Sequence, residues 1–327
     1  MFKRALIAAL ALAASPLALA DDDKAEPKAE LGGTVFASYG YDLTDDGDDM
    51  AMNKFAIDRA YLIGKARLGK GFATRITVDA GNTGAGYFVF LKHAYMEYSP
   101  KKEEIKSRFG MVETPYTSFA DDFWGHRYVS KSFADSQGLL PTADLGVSAM
   151  GKHQGGLIDW HAAIVNGEGY KADEVDSGKS VQGRLTVDAL AKGQKGKLPI
   201  TVYVNNDKTY DQKATLTYAG AVGYKVPRVT FWAEYIGVND QEAEVKGSGF
   251  SVAALPGLPK YGHLIVRYDK FDPNTDVDDD GNSKMIVGAS HDFADKVALA
   301  ATFEQTTLEV PDSEPFRGVF VHGMVGF

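Results

Sequence analysis

The chain closes on GVFVHGMVGF, Gly318 to Phe327. In an extended strand Val319, Val321, Gly323, Val325 and Phe327 share one face, and Phe320, His322 and Met324 the other. The alternation runs to the last residue, with no polar tail after it. Terminal residues usually fray unless they are tied down. A strand of this kind therefore needs a partner along its whole length, and the spacing predicts that it closes against residues 33–43.

Working back from that strand, the chain repeats one unit. Short alternating runs rich in Val, Ile, Tyr, Phe and Thr are separated by Gly, Asn, Asp and Pro. The 35 glycines and 16 tyrosines fit this composition. No helical period persists long enough for a βαβ unit. Strands are predicted at 33–43, 54–68, 72–80, 86–98, 105–112, 144–152, 157–166 and 179–190. Eight more follow at 197–205, 211–223, 227–238, 248–255, 261–271, 284–293, 297–308 and 318–327.

The connectors alternate in size. After even-numbered strands they are short, as in GKG (69–71), HQGG (153–156), PGLPK (256–260) and ADK (294–296). After odd-numbered strands they are longer and acidic, as in TDDGDDMAMN (44–53), NGEGYKADEVDSG (166–178), GVNDQEAEVKG (237–247) and PNTDVDDDGNS (273–283). Short turns at one end and long loops at the other mark an outer-membrane barrel. The fold class is therefore all-β: a transmembrane antiparallel β-barrel of sixteen strands. Sixteen apolar faces need a common apolar solvent, no helices supply one, and closure removes every exposed edge. Phe327 then sits in the aromatic girdle and is expected to serve as an assembly signal for barrel-assembly machinery.

The amino terminus agrees. Lys3 and Arg4 precede an apolar run, Leu6 to Ala14, and Ala18-Leu19-Ala20 forms a small-x-small site. This reads as a signal peptide over 1–20. A polar leader over 21–32 and a single barrel domain over 33–327 follow. The apolar run is too short to span a bilayer. There is no cysteine, so no disulfide and no thiolate metal site is expected. The whole chain carries a net charge of −9; loss of Lys3 and Arg4 leaves 33 basic against 44 acidic residues. A nucleic-acid partner is not expected at that balance.

One connector stands apart: MVETPYTSFADDFWGHRYVSKSFADSQGLLPTA, Met111 to Ala143. Structureless loops longer than about 15 residues are uncommon and usually functional. As the third outward loop it is expected to fold into the aqueous channel of a sixteen-stranded barrel. Here the chain resembles the Gram-negative porins, and among them the phosphate-selective porin O/P-like proteins. The resemblance rests on FAIDRAYLIGKARLGKGFATRITVD (55–79), RFGMVETPY (108–116), ADLGVSAMG (143–151), AAIVNGEG (162–169) and YDKFDPNTDVDDDGNS (268–283). It implies a homotrimer in outer-membrane lipid and lipopolysaccharide, with the third loop as constriction. A phosphate-specific member would carry a dense arginine ladder and a lysine cluster there.

A basic side chain facing lipid near the midplane costs roughly 2–4 kcal/mol, which assigns the strand cations to the lumen. Placing Ala60, Leu62, Gly64, Ala66 and Leu68 outward turns Arg59, Lys65 and Arg67 inward. Arg75, Lys106, Arg108, Arg184 and Arg267 follow by the same logic, with Arg127 and Lys131 on the long connector. Glu113, Asp121 and Asp122 are candidates to face that basic wall, and a field between them would order solutes. The competing reading pairs each arginine with a carboxylate such as Asp79 or Asp188.

The sequence thus predicts a passive channel for small hydrophilic solutes, general or mildly anion-preferring. The alternatives are a phosphate or polyphosphate channel and a structural or adhesive barrel. No cofactor is expected, although the acidic runs DLTDDGDDM and DPNTDVDDDGN offer oxygens for weak Ca2+ binding. The seven histidines are scattered, and no HExxH, GxSxG or P-loop occurs, so no catalytic residue is assigned. Ser290 and His291 are adjacent and point to opposite faces of a strand, which excludes them as a dyad.

Overall fold

The structure, a computed structural model, describes residues 28–44, 53–82, 86–100, 105–191, 195–208 and 213–327. The signal peptide, residues 21–27 of the leader, most of the first acidic connector and residues 83–85 lie outside them. Sixteen strands follow one another: β1 (Lys28–Asp42), β2 (Asn53–Gly69), β3 (Phe72–Asn82), β4 (Tyr87–Tyr98), β5 (Ile105–Glu113), β6 (Ala143–His153), β7 (Ile158–Val165) and β8 (Ser180–Asp188). The second half comprises β9 (Pro199–Lys208), β10 (Ala214–Val226), β11 (Val229–Asp240), β12 (Val245–Leu258), β13 (Gly262–Asp272), β14 (Asn282–Ala294), β15 (Val297–Leu308) and β16 (Phe316–Gly326). Two short helices, α1 (Thr117–Trp124) and α2 (Phe133–Ser136), lie in the connector between β5 and β6.

Every strand pairs with its neighbours in sequence, and β1 pairs with β16 to close the barrel. The closure runs to the last residue. Gly33 N donates to the Phe327 carbonyl at 3.1 Å, and Phe327 N donates to the Gly33 carbonyl at 3.0 Å. The last strand is therefore paired as far as Phe327, as its alternation required. The barrel also begins earlier than the composition implied. β1 starts at Lys28, inside the stretch read as leader, because Lys28 to Gly32 continue the ladder against Arg67 to Ile63.

The two faces of the wall differ in chemistry. On β9, Ile200, Val202 and Val204 are 56%, 57% and 47% exposed, while Thr201, Tyr203 and Asn205 between them are buried. β8 repeats this with Val181, Leu185 and Val187 outside and Gln182, Arg184 and Thr186 inside. Apolar side chains thus cover the outer surface, a polarity inverse to that of a water-soluble domain. Tyr218, Tyr235, Phe250 and Tyr268 form an exposed row on β10–β13 near the longer connectors, with Tyr218 and Tyr235 6.5 Å apart and Phe250 and Tyr268 6.0 Å apart.

Two outward connectors are shorter than expected. β11 and β12 continue their ladder through most of 237–247, leaving four residues, 241–244, between them. β3 and β4 are also separated by four residues. Antiparallel pairing needs no apolar neighbour, so a hairpin can extend beyond the apolar band into water.

Candidate functional site

The segment between β5 and β6 packs on wall residues that face away from the apolar exterior. Tyr116 donates its hydroxyl to Glu234 on β11 at 2.6 Å, and the Trp232 indole donates to the same carboxylate at 3.0 Å. Phe123 of α1 lies 4.9 Å from the Trp232 ring, and Phe133 of α2 lies 6.3 Å from Phe271 on β13. Tyr128 reaches Phe36 on β1 at 6.4 Å. The inward positions of β10 make room with Thr217, Ala219, Ala221 and Gly223. A Cβ on Gly223 would stand 2.5 Å from the Phe123 ring, so only glycine fits there. α1 ends at Gly125, whose φ of 71° favours glycine, and its N–H returns to the Asp121 carbonyl.

Two wall arginines predicted as channel-lining serve this docking instead. Arg184 donates to the Pro115 carbonyl at 2.9 Å and to Asp159 at 2.7 Å, with its guanidinium over the Phe119 ring. Arg267 grips both oxygens of Asp269 and donates to the Lys131 carbonyl at 2.7 Å. Both are buried. His126 joins them. Its Nδ1 faces the Trp124 carbonyl, which only accepts, so Nε2 accepts from Ser290 Oγ at 3.0 Å. Ser290 therefore meets a histidine from the connector rather than its sequence neighbour. Burial pushes His126 down to about 4.

The charged groups gather on the opposite side, along β2–β5. Arg59 reaches Asp79 at 3.2 Å. Arg75 and Arg108 share Glu113, at 2.5 and 2.9 Å, and Arg108 also meets Glu97 at 2.8 Å. Lys106 approaches Glu97 at 3.5 Å. The Arg59, Arg75 and Arg108 side chains keep 16%, 20% and 11% of their surface exposed. Glu113 ends β5 and so belongs to the wall rather than to the connector. Lys65 stands opposite Arg75 in the ladder and Arg67 opposite Ala73, both exposed towards the 69–71 turn.

The connector presents its own charges. Arg127 binds Asp121 at 2.5 Å and Asp135 at 2.9 Å, and Lys131 reaches Asp135 at 3.3 Å. Burial would raise the Asp135 carboxyl, but Arg127 and Lys131 outweigh it and hold Asp135 below its ordinary value. Asp122 is pushed upward by burial and by the nearby Glu113 and Asp121 charges. Of the connector cations named, Lys131 is the more exposed.

Carboxylate pairing thus holds for Asp79 but not for Asp188, which accepts from the Leu190 and Leu198 backbone N–H groups and shapes a turn. The acidic groups whose oxygens converge among the described residues are Glu168, Glu174 and Asp176, on the β7–β8 connector. They are not in either run singled out by composition. Trp124 of the connector and Trp232 of β11 are both buried where the connector docks.

Strict alternation also missed two residues. β2 carries a bulge at Asp58: Phe36 pairs with Arg59 and Ala37 with Ile57. β4 carries one at Lys92: Thr77 pairs with His93 and Val78 with Leu91. Each bulge inserts an unpaired residue and turns two consecutive side chains inward. Asp58 thereby accepts from Ser38 at 3.1 Å, and Lys92 and His93 are both buried. The signal was legible in the run of exposed apolar residues. It steps by two through Phe55 and Ile57, then by three to Ala60; on β4 it steps from Leu91 to Ala94.

No family model and no curated protein sequence matches the chain. Solved structures do. The anion-selective porin from Comamonas acidovorans superposes with a TM-score of 0.67 at 15% identity, covering 92% of this chain and all of that one. Salmonella typhi OmpF, solved with daunomycin, gives 0.67 at 11% identity over 92% and 98% of the two chains. The outer membrane channel DcaP of Acinetobacter baumannii gives 0.63 at 14% identity over 93% and 99%. Together with the closed sixteen-stranded ring, these similarities establish that the chain has the fold of the Gram-negative outer-membrane porins.

Proposed function

We propose that the chain is a passive outer-membrane channel for small hydrophilic solutes, with a mild preference for anions. The carrying observation is the inverted polarity of the wall: an apolar exterior surrounds an interior lined by Arg59, Arg75, Arg108, Lys106 and Lys92. The acids on the same strands are fewer: Asp58, Asp79, Glu97 and Glu113. The β5–β6 connector narrows the path and adds the charges of Asp121, Asp122, Arg127 and Lys131 beside this wall. Rings of charge of this kind set ion selectivity through their potential. Transport follows the gradient and involves no bond chemistry.

The pairing of wall arginines with carboxylates favours a general channel over a phosphate-specific one, whose ladder would need unpaired guanidinium groups. Assembly as a homotrimer, with lipopolysaccharide around it, is part of the same proposal. The test is a reversal potential in asymmetric KCl across a planar bilayer. Replacing Arg59, Arg75 and Arg108 together with Ala is expected to shift it towards cation preference. An unchanged value would overturn the assignment of these residues.

A further inference from the structure

Ser132 stands just before α2 on the β5–β6 connector. It is 2% exposed, and its Oγ has no hydrogen-bond partner among the described residues. A buried hydroxyl left without a partner loses its hydration and gains nothing in return. Ser132 borders a cavity of about 10 Å³ where the connector meets the wall. The other polar side chains around that cavity are Glu234 of β11, Ser251 of β12 and Arg267 of β13, all of them buried. Ala120 of α1 and Ala253 of β12 also border it, and their small side chains leave the space open.

These wall groups can still bond. The two Glu234 oxygens accept from Trp232 and Tyr116, one donor each, and each keeps a lone pair. Asp269 and the Lys131 carbonyl take three of the five Arg267 N–H groups. A cation in the cavity would meet Arg267, and an anion would meet Glu234. The space therefore suits a neutral molecule that both donates and accepts, and its volume admits one water. We propose that a single water molecule fills this cavity and bonds Ser132 of the connector to the polar groups of β11–β13. Arg267 already grips the Lys131 carbonyl, and the water repeats that grip one residue later. Ser132 is thus a positioning residue, which holds the connector and its Lys131 in one place. The inference follows from packing and does not depend on transport.

Two measurements test it. A crystal structure of the unmodified protein, at a resolution that shows ordered waters, is expected to place one within hydrogen-bond distance of Ser132 Oγ. Amide hydrogen exchange over residues 117–140, in detergent, is the second. If the cavity is dry, Ser132→Ala removes an unpartnered hydroxyl, and exchange stays the same or slows. If the cavity holds water, Ser132→Ala breaks a bond between connector and wall, and exchange is expected to quicken about tenfold. Ser132→Thr keeps the hydroxyl and is expected to exchange as the unmodified protein does. An empty cavity in the crystal structure overturns the proposal. So does exchange that fails to quicken in Ser132→Ala, or that quickens equally in Ser132→Thr. The crystal structure uses the unmodified chain, so it reports even if Ser132→Ala fails to assemble.

Discussion

At Glu113 one carboxylate holds two guanidinium groups, those of Arg75 and Arg108. Neutralising it leaves both cations in place and removes one negative charge from the wall. A unit charge ~8 Å from the path, in a water-like dielectric, is worth about 0.5 kcal/mol. The anion gains and the cation loses that amount, so Glu113→Gln is expected to raise the anion-to-cation permeability ratio about fivefold, read from the reversal potential. A fall in that ratio would show that the wall does not set selectivity. Tyr116 supports a second prediction. Tyr116→Phe leaves the buried Glu234 with only the Trp232 indole as donor among its observed partners. The loss is expected to cost about 1–3 kcal/mol, measured as a lower unfolding midpoint in detergent. Residue by residue, the exclusion of cations from lipid supplied a rule for Arg59, Arg75 and Arg108, but that rule passed over Lys92, which the β4 bulge turns inward. Nor did it reveal the arginines' partners. Arg184 and Arg267 carry the same sequence signature as Arg75, and only the docking of Pro115 and Lys131 against them separates their roles.

Among the elements, β2 and β4 show how a strand can break its own period. Asp58 is the extra residue of the β2 bulge, and the outward phase is correct on both sides of it. Its deletion is expected to leave a barrel that migrates folded on unheated gels. Deletion of Ala60 moves Leu62 to the inner face and Tyr61 to lipid, so that variant is expected to migrate unfolded. Equal behaviour of the two would contradict the register. The β5–β6 connector is the element least readable beforehand. Its length marked it as functional, but α1 and α2 arise from packing on small inward residues of β10 and aromatic residues of β11 and β13 that lie a hundred residues away. Its latch responds to pH with a defined sign. His126 binds a proton only near 4 while docked, against an ordinary value near 6.5. The undocked loop therefore takes up more protons in that window. Docking is fully stable above pH 6.5 and weakens as pH falls towards 4. Protease sensitivity of the connector is expected to rise over that interval, and His126→Gln to flatten the rise. A flat profile in the unmodified protein would remove His126 from the latch.

For the whole molecule, strand number, order and closure were legible because two periods coincide in the chain. One is the alternation within strands; the other is the alternation of short and long connectors between them. The sixteen ranges read from sequence each fall on a strand of the barrel, with ends displaced by a few residues. Composition misled only where pairing outlasts the apolar band, as in β1 and at the outer ends of β11 and β12. The account depends on hydrocarbon outside this ring and water within it. Current through a planar bilayer after addition of the purified, detergent-folded protein tests that most directly. Stepwise ohmic increments, with a reversal potential on the anion side in asymmetric KCl, are the predicted result. A protein that inserts folded and passes no current, or that stays dispersed in buffer without detergent, would contradict it.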